Sequence, residues 1–499
     1  MLFKQMFATK SLEMLQEEMD SGQHRLRRIL GPVALTSLGV GAIIGTGIFV
    51  LVGLTAKTMA GPSLMLSFII SGLGCAFAAF CYAEFAAMTP VAGSAYTFAY
   101  ATLGELLAWI IGWDLILEYA VGSATVAHGW SKYFLKLLEV FNLHIPGFLT
   151  NDPLTTKHIV THLPAMIQGA YIGSGAPVSS WFNLPAFLIV WVITIILVKG
   201  IRESAGFNSA MVIFKLVIVL IVIVAGSFFI DSRNWHPFMP PEFGWPGVMR
   251  GAAYVFFAYI GFDSISTHAE EAINPKRDVP IGIIASLAIC TVLYILVAGV
   301  LTGMVPYKMI DIEAPIASAF SAQGWNSIVF IVSLGAIAGI TSVLLVMMLS
   351  QPRIFLAMSR DGLMPKHIFA AVHPVFKTPH RATLLMGLVV SLGASLIPLE
   401  DLAYLVNIGT LFAFAIVCAS VWIMRYVRPD YPRPFRCPLV PLIPFLGIAF
   451  NLGMMIYLGW MTWLRLFAWL SIGLVIYLVY GRYHSVLHKQ GQKQDPSVS

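Results

Sequence analysis

The chain has 499 residues, of which 58% are hydrophobic and only 11% charged. An ordinary soluble domain carries about 25% charged residues, so this composition excludes a soluble globular protein, a disordered chain and a disulfide scaffold, and it requires lipid as solvent. The formal charge of +6 reads as basic loops beside a membrane, and nucleic acid is not an expected partner.

A spanning helix needs about 20 mostly apolar residues. Twelve runs qualify: 32–54, 63–88, 105–137, 184–199, 206–230, 247–268, 280–304, 326–350, 382–398, 402–424, 441–463 and 466–481. The first 31 residues lack the apolar core and small-residue cleavage site of a signal peptide. Leu12–Leu30 reads as an amphipathic helix on the cytoplasmic surface, with a frayed tail as the bland alternative. Of the 30 Lys and Arg residues, 21 fall on the side of the N-terminus, 8 on the other, and Lys215 inside the fifth span. The positive-inside rule then places both termini in the cytoplasm and the protein in the cell membrane. Five cysteines (Cys75, Cys81, Cys290, Cys418, Cys437) form no CxxC pair and read as packing residues.

The first span contains Gly39-Val40-Gly41-Ala42-Ile43-Ile44-Gly45-Thr46-Gly47. Each glycine weakens a helix by about 1 kcal/mol relative to Ala. Such spacing serves either close helix packing or an unwound stretch, which is tolerated at membrane depth only where it is buried or lines a cavity. The sixth span favours the second reading. It runs Phe256-Phe257-Ala258-Tyr259-Ile260-Gly261-Phe262-Asp263-Ser264, a glycine followed closely by an acid. Two sets of five spans each begin with an interrupted helix, the pattern of an inverted-repeat transporter. The expected division is an N-terminal segment 1–31, repeats 32–230 and 231–425, two added spans in 426–482 and a tail 483–499. The expected fold is an all-α integral membrane protein with twelve transmembrane helices in a 5+5 inverted repeat.

An amino acid suits such a site. The N–H groups at a half-helix start favour a carboxylate, here from Ile44, Gly45, Thr46 and Gly47. The free carbonyls of Phe257, Ala258 and Ile260 would face the ammonium. Ile43, Phe257, Ile260 and Met347 are expected to line the side-chain pocket, with core packing the plain alternative for Met347.

These residues resemble the amino acid–polyamine–organocation superfamily, and within it bacterial members of the cationic amino acid transporter family. The resemblance rests on four elements. They are the glycine string of the first span, His268–Pro280 after the sixth, Arg353–Pro365 after the eighth, and Tyr82–Phe85 with Pro90–Tyr96 near the end of the second. It implies a LeuT-like fold and secondary active transport of amino acids. It also implies that in proton-coupled members an ammonium on the fifth span takes the place of the cation that bridges the first and eighth spans in sodium-coupled ones.

Lys215 sits in the middle of the fifth span, where a Lys costs about 2.5–3.5 kcal/mol on insertion scales. It reads as a proton carrier, or else as a structural Lys satisfied by helix-end carbonyls. The coupling ion expected is the proton, and no other cofactor. Glu118 in the third span is a functional candidate by default, as a partner of Lys215 or part of a proton path. Asp114 is expected to face a wet inner vestibule. Asp263 reads equally as a cap of the lower half-helix and as a proton-linked group. Glu84 is expected to be a gate or loop tether, and Glu270, Glu271 and Arg353 to form inner-gate pairs. No acid lines the assigned pocket, so small neutral amino acids, alanine first, lead. The alternative is a cationic amino acid transporter for arginine or lysine, or an amino acid/polyamine exchanger. A small accessory membrane subunit is left open as a further partner. A membrane enzyme is not expected, since no HExxH or paired-acid motif lies at spanning depth.

Overall fold

A computed structural model describes residues 6–10, 28–88, 94–155, 180–200, 205–376 and 378–489. Most of the expected surface helix at 12–30, and the tail beyond 489, lie outside the described residues. Among the described residues every regular element is a helix. One isolated parallel bridge, Leu30 with Ala272, is the exception.

The first span begins as α1 (Pro32–Ile43), with Pro at the first helical position, where its missing N–H costs nothing. It ends at Ile44, whose backbone is extended (φ −73°, ψ 104°). It resumes as wide turns, Gly47–Leu51 and Ala56–Ala60, around α2 (Val52–Thr55). Then come α3 (Leu64–Met88), α4 (Ser94–Thr102) and α5 (Glu105–Val140). α6 (Leu184–Lys199) is capped by the Asn183 side chain, which accepts from Ala186 N–H. α7 (Ala205–Ser227) follows.

The sixth span is α8 (Gly244–Val255), a tighter turn at Phe256–Tyr259, and α9 (Ser264–Thr267). Between them Ile260 is extended and Gly261 has φ +123°, a conformation only glycine adopts without strain. The remainder is α10 (Pro275–Met304), α11 (Pro315–Ala322), α12 (Asn326–Arg360), α13 (Lys366–Phe369), α14 (His380–Leu396), α15 (Leu399–Val427), α16 (Leu442–Tyr457), α17 (Trp460–Ile476) and α18 (Arg482–His484).

Seven helical stretches among the described residues are long and apolar enough to cross a membrane, and four apolar helices, α1, α6, α14 and α16, are shorter. Some boundaries differ from the sequence reading: α10 begins at Pro275 and not at 280, and α12 runs on to Arg360 and not to 350. The chain turns between α16 and α17 at Gly459 (φ +82°), not at 463–466. An apolar flank on both sides hid the turn.

Packing centres on α5. Along it lie α12 and α15, while α3 packs on α10, α6 on α14, and the turn Gly47–Leu51 on the turn Phe256–Tyr259. α17 is clasped to α5 by tryptophans. Trp113 Nε1–H donates to Trp469 O (2.9 Å), Trp469 Nε1–H donates to Trp113 O (3.1 Å), and their rings stack at 4.5 Å.

Candidate substrate site at two interrupted helices

The two interruptions meet backbone to backbone. A Cβ on Gly47 would fall 2.3 Å from Ala258 Cα, and one on Gly261 would fall 2.8 Å from Ala42 O. Side chains at either position would force the half-helices apart. Ile43, Ile44, Thr46, Phe257, Ala258 and Ile260, which flank the two interruptions in the chain, are all buried, as is Met347. Gly45 faces Val343 of α12, and Thr46 faces Gly129 of α5. Met347 lies across Gly122, its Sδ 3.3 Å from where a Cβ there would stand, with Val406 of α15 beside it. α15 thus packs beside Met347 and Gly122.

Unwound backbone at this depth must find partners inside the protein. Lys215 supplies two of them. Its ammonium, 1% exposed, donates to Gly41 O (2.6 Å) and Ile44 O (3.2 Å), while its stem lies along Gly339 of α12. Lys215 thus joins the fifth span to the end of α1 and to the eighth span. The expected pairing with Glu118 is not made, because helix-end carbonyls occupy the ammonium instead.

Tyr294 of α10 supplies a third partner. Its hydroxyl lies 2.9 Å from Ile43 O and 2.9 Å from Ala258 O. One hydroxyl hydrogen serves one carbonyl at a time. Of the three carbonyls expected to be free for an ammonium, Ala258 O is engaged by Tyr294, and Phe257 O accepts from Ile260 N–H (3.2 Å). The tight turn brings that N–H back onto the turn's own carbonyl, leaving Ile260 O the least engaged of the three.

Three acids of the third and sixth spans are buried in the bundle. Asp263 makes no capping bond to α9. Its oxygens accept from Gly261 N–H (3.3 Å) and from the Tyr119 hydroxyl (3.2 Å). Glu118 and Asp114 are buried, and no hydrogen bond of ordinary geometry reaches their carboxylate oxygens. Asp114 is fully buried against Gly409 of α15, so the expected wet vestibule is not at its side chain. Packing of α15 over that turn of α5 closes it.

Ion pairs and hydrogen bonds to acids join distant segments elsewhere in the bundle. Glu84 accepts from Arg425 (Nε 2.9 Å, Nη2 2.7 Å) and from Cys437 N–H (2.7 Å), and pairs with Arg433 at 3.2 Å. It tethers α3 to the loop after α15. Asp361 accepts from Lys10 (2.9 Å) and from the Tyr96 hydroxyl (2.6 Å). Glu105 accepts from Tyr100 and Tyr477, each at 3.0 Å, and from Ser485. Among the described residues no ion pair joins Glu271 to Arg353, and the Glu270 side chain lies outside the described set.

Sequence reasoning missed Tyr294 and Asn407, the latter donating to Ala253 O and Tyr254 O. The available signal was weak: polar side chains within otherwise apolar runs, which at spanning depth deserve a functional reading by default.

The profile of the amino acid permease family matches residues 30–480. The chain is 46% identical to the methylthioribose transporter of Bacillus subtilis (strain 168), over 97% of this chain and 99% of that protein. It is 47% identical to the branched-chain amino acid permease BcaP of the same organism, over 94% of this chain and 96% of that one. The vacuolar cationic amino acid transporter 2 of Arabidopsis thaliana is 40% identical, over 82% of this chain and 61% of its own length. A family match over nearly the whole chain, on helices of this length and apolarity, means that the chain belongs to the amino acid permease family of the amino acid–polyamine–organocation superfamily and is a multi-pass membrane transporter, not an enzyme.

Proposed function

We propose that the protein is a proton-coupled symporter of neutral amino acids working by alternating access. The observation that carries this reading is the Lys215 ammonium on Gly41 O and Ile44 O, at the broken end of α1. A charged donor makes bonds about twice as strong as a neutral one. Proton loss from Lys215 weakens the hold on α1, and proton gain restores it, which ties the position of a half-helix beside the substrate to proton traffic. In this reading Glu118 and Asp263 also carry protons.

The substrate carboxylate is placed at the N–H groups of Gly45, Thr46 and Gly47, which open the second half of the first span, where N–H groups have no intrahelical partner. The ammonium is placed at the turn Phe256–Ile260. The wall of Ile43, Phe257, Ile260 and Met347 offers no acid, and an unpaired buried charge is very costly. That disfavours arginine and lysine and favours aliphatic side chains, alanine first. The likeness to a branched-chain amino acid permease supports a neutral substrate and widens the range to leucine, isoleucine and valine.

The same reading takes twelve spans in two inverted repeats, 32–230 and 231–425, with spans eleven and twelve in 426–482. Its support is that equivalent spans pack on one another: first on sixth, second on seventh, third on eighth, fourth on ninth. A two-fold axis in the membrane plane produces such pairs. The basic loops support cytoplasmic termini, in segments 1–31 and 483–499, and the reading takes the plasma membrane as location.

A second reading, methylthioribose as cargo, is favoured by 46% identity over 97% of the chain to a transporter of that name. The test is uptake into proteoliposomes with proton and sodium gradients imposed separately. Labelled alanine or leucine should accumulate with an inward proton gradient, and Lys215→Ala should abolish that accumulation. Methylthioribose uptake without amino acid uptake selects the second reading. Arginine displacing alanine at equal concentration overturns the neutral assignment.

A further inference from the structure

We propose that Asn407 on α15 is a positioning residue for substrate recognition, acting through the end of α8. The inference rests on the amino acid reading above.

α8 gives way at Val255 to the tighter turn Phe256–Tyr259. Where an α-helix ends, its last carbonyls lose their intrahelical donors, and lipid cannot replace them. Phe256 N–H serves Ala252 O. The next two carbonyls are served from another helix. Asn407 Nδ2 donates to Ala253 O (3.0 Å) and Tyr254 O (2.8 Å). These partners fix the orientation of the amide, since only its NH2 side can face two carbonyl oxygens.

Asn407 is fully buried, and its Oδ1, turned away from α8, has no hydrogen bond. A site that needed packing alone would be better filled by Leu, which leaves no acceptor unpaired. The amide's gain is the geometry it imposes. The capped carbonyls immediately precede the turn Phe256–Ile260, at which the reading above places the ammonium. The adjacent residue, Val406, stands beside Met347 and Gly122 at the pocket wall. Asn407 therefore ties α15 to the helix end that aims the turn Phe256–Ile260. A shift of the cap moves that turn away from the ammonium without touching the carboxylate end of the site.

The test compares the full-length wild type with Asn407→Leu and Asn407→Gln in proteoliposomes. L-alanine is the substrate and N-methyl-L-alanine, with one N–H fewer, the competitor. Asn407→Leu should raise KM by about tenfold while Vmax changes far less. It should also bring the inhibition constants of the two compounds together, because misdirected carbonyls no longer count N–H groups. Asn407→Gln, which keeps both donors on a longer stem, should lie between. A lower Vmax with wild-type KM and unchanged discrimination, in either variant, reduces Asn407 to a structural cap and overturns the proposal. If Asn407→Leu does not fold, the glutamine variant decides by the same two readouts. Wild-type vesicles that take up no neutral amino acid overturn the substrate reading itself, an outcome visible before any variant is made.

Discussion

Tyr294 and Ile43 are 251 positions apart in the chain, yet the tyrosine hydroxyl sits 2.9 Å from the isoleucine carbonyl and at the same distance from Ala258 O. One side chain therefore spans both interrupted helices. Tyr294→Phe keeps the ring, which packs on Phe68 and Tyr259, and removes only the hydroxyl. A buried carbonyl left unpaired costs about 1–3 kcal/mol. Uptake should fall several-fold while the purified variant still elutes as a single species. Uptake at the wild-type rate would show that the bridge is incidental to transport.

Glu84 anchors two arginines and a backbone N–H, and both Glu84 and Arg433 are nearly inaccessible to solvent, whereas Arg425 is 23% exposed. Removing the acid strands a buried positive charge, which costs about 3–5 kcal/mol. Glu84→Ala should lower the melting temperature in detergent more than Arg425→Ala does, because the single arginine change leaves Arg433 and Cys437 N–H in place. Equal shifts would contradict the tether.

Gly473 of α17 lies directly under the Trp113 ring, where a Cβ would fall 2.4 Å from Trp113 Cδ1. Gly473→Ala should push α17 off α5 at a cost of about 1–3 kcal/mol. Thermal unfolding followed by tryptophan fluorescence would detect it, and an unchanged midpoint would mean that α17 is held elsewhere.

Glu242, in the loop before α8, accepts from the Tyr307 hydroxyl (2.5 Å) and pairs with Lys308 (3.2 Å). The tyrosine hydroxyl, with help from its own backbone and from Lys308, draws its pKa from the ordinary 4.5 to about 2. A lowered carboxylate pKa contributes stability that is fully present above the ordinary value and is lost as pH falls through the lowered one. At pH 3 the clasp should therefore still hold in the wild type and be weakened in Tyr307→Phe. Pepsin cleavage near Phe243 at that pH should be slower in the wild type. Equal cleavage rates would refute the clasp.

Hydropathy alone made the apolar helices legible, seven of them among the described residues long enough to cross a membrane and four shorter, because a helix in lipid must be mostly apolar. The interruptions were legible too, since Gly45, Gly47 and Gly261 each mark a place where a helix is weak or backbone must approach backbone. What fills the interruptions was not. Lys215 meets Gly41 O across 174 residues, and Asn407 meets Ala253 O across 154. No local pattern encodes such pairings. Lys215 stood out because a charge in lipid is costly. Asn407 did not, since a single amide in a long apolar run costs less and reads as tolerable. Gly459 was overlooked for the opposite reason: apolar residues on both sides make a tight turn look like continuous helix.

The bridge between Leu30 and Ala272 has a mechanical consequence. Ile29 and Leu30 N–H both donate to Glu271 O, and Ile273 N–H donates back to Leu30 O, at 2.9–3.0 Å. These bonds join the entrance of α1 to the exit of α9. A displacement of one of these two half-helices therefore carries the other with it. Lys215 and Tyr294 hold the same pair at its inner end, on the carbonyls of Gly41, Ile43, Ile44 and Ala258, so the pair is fastened at both ends.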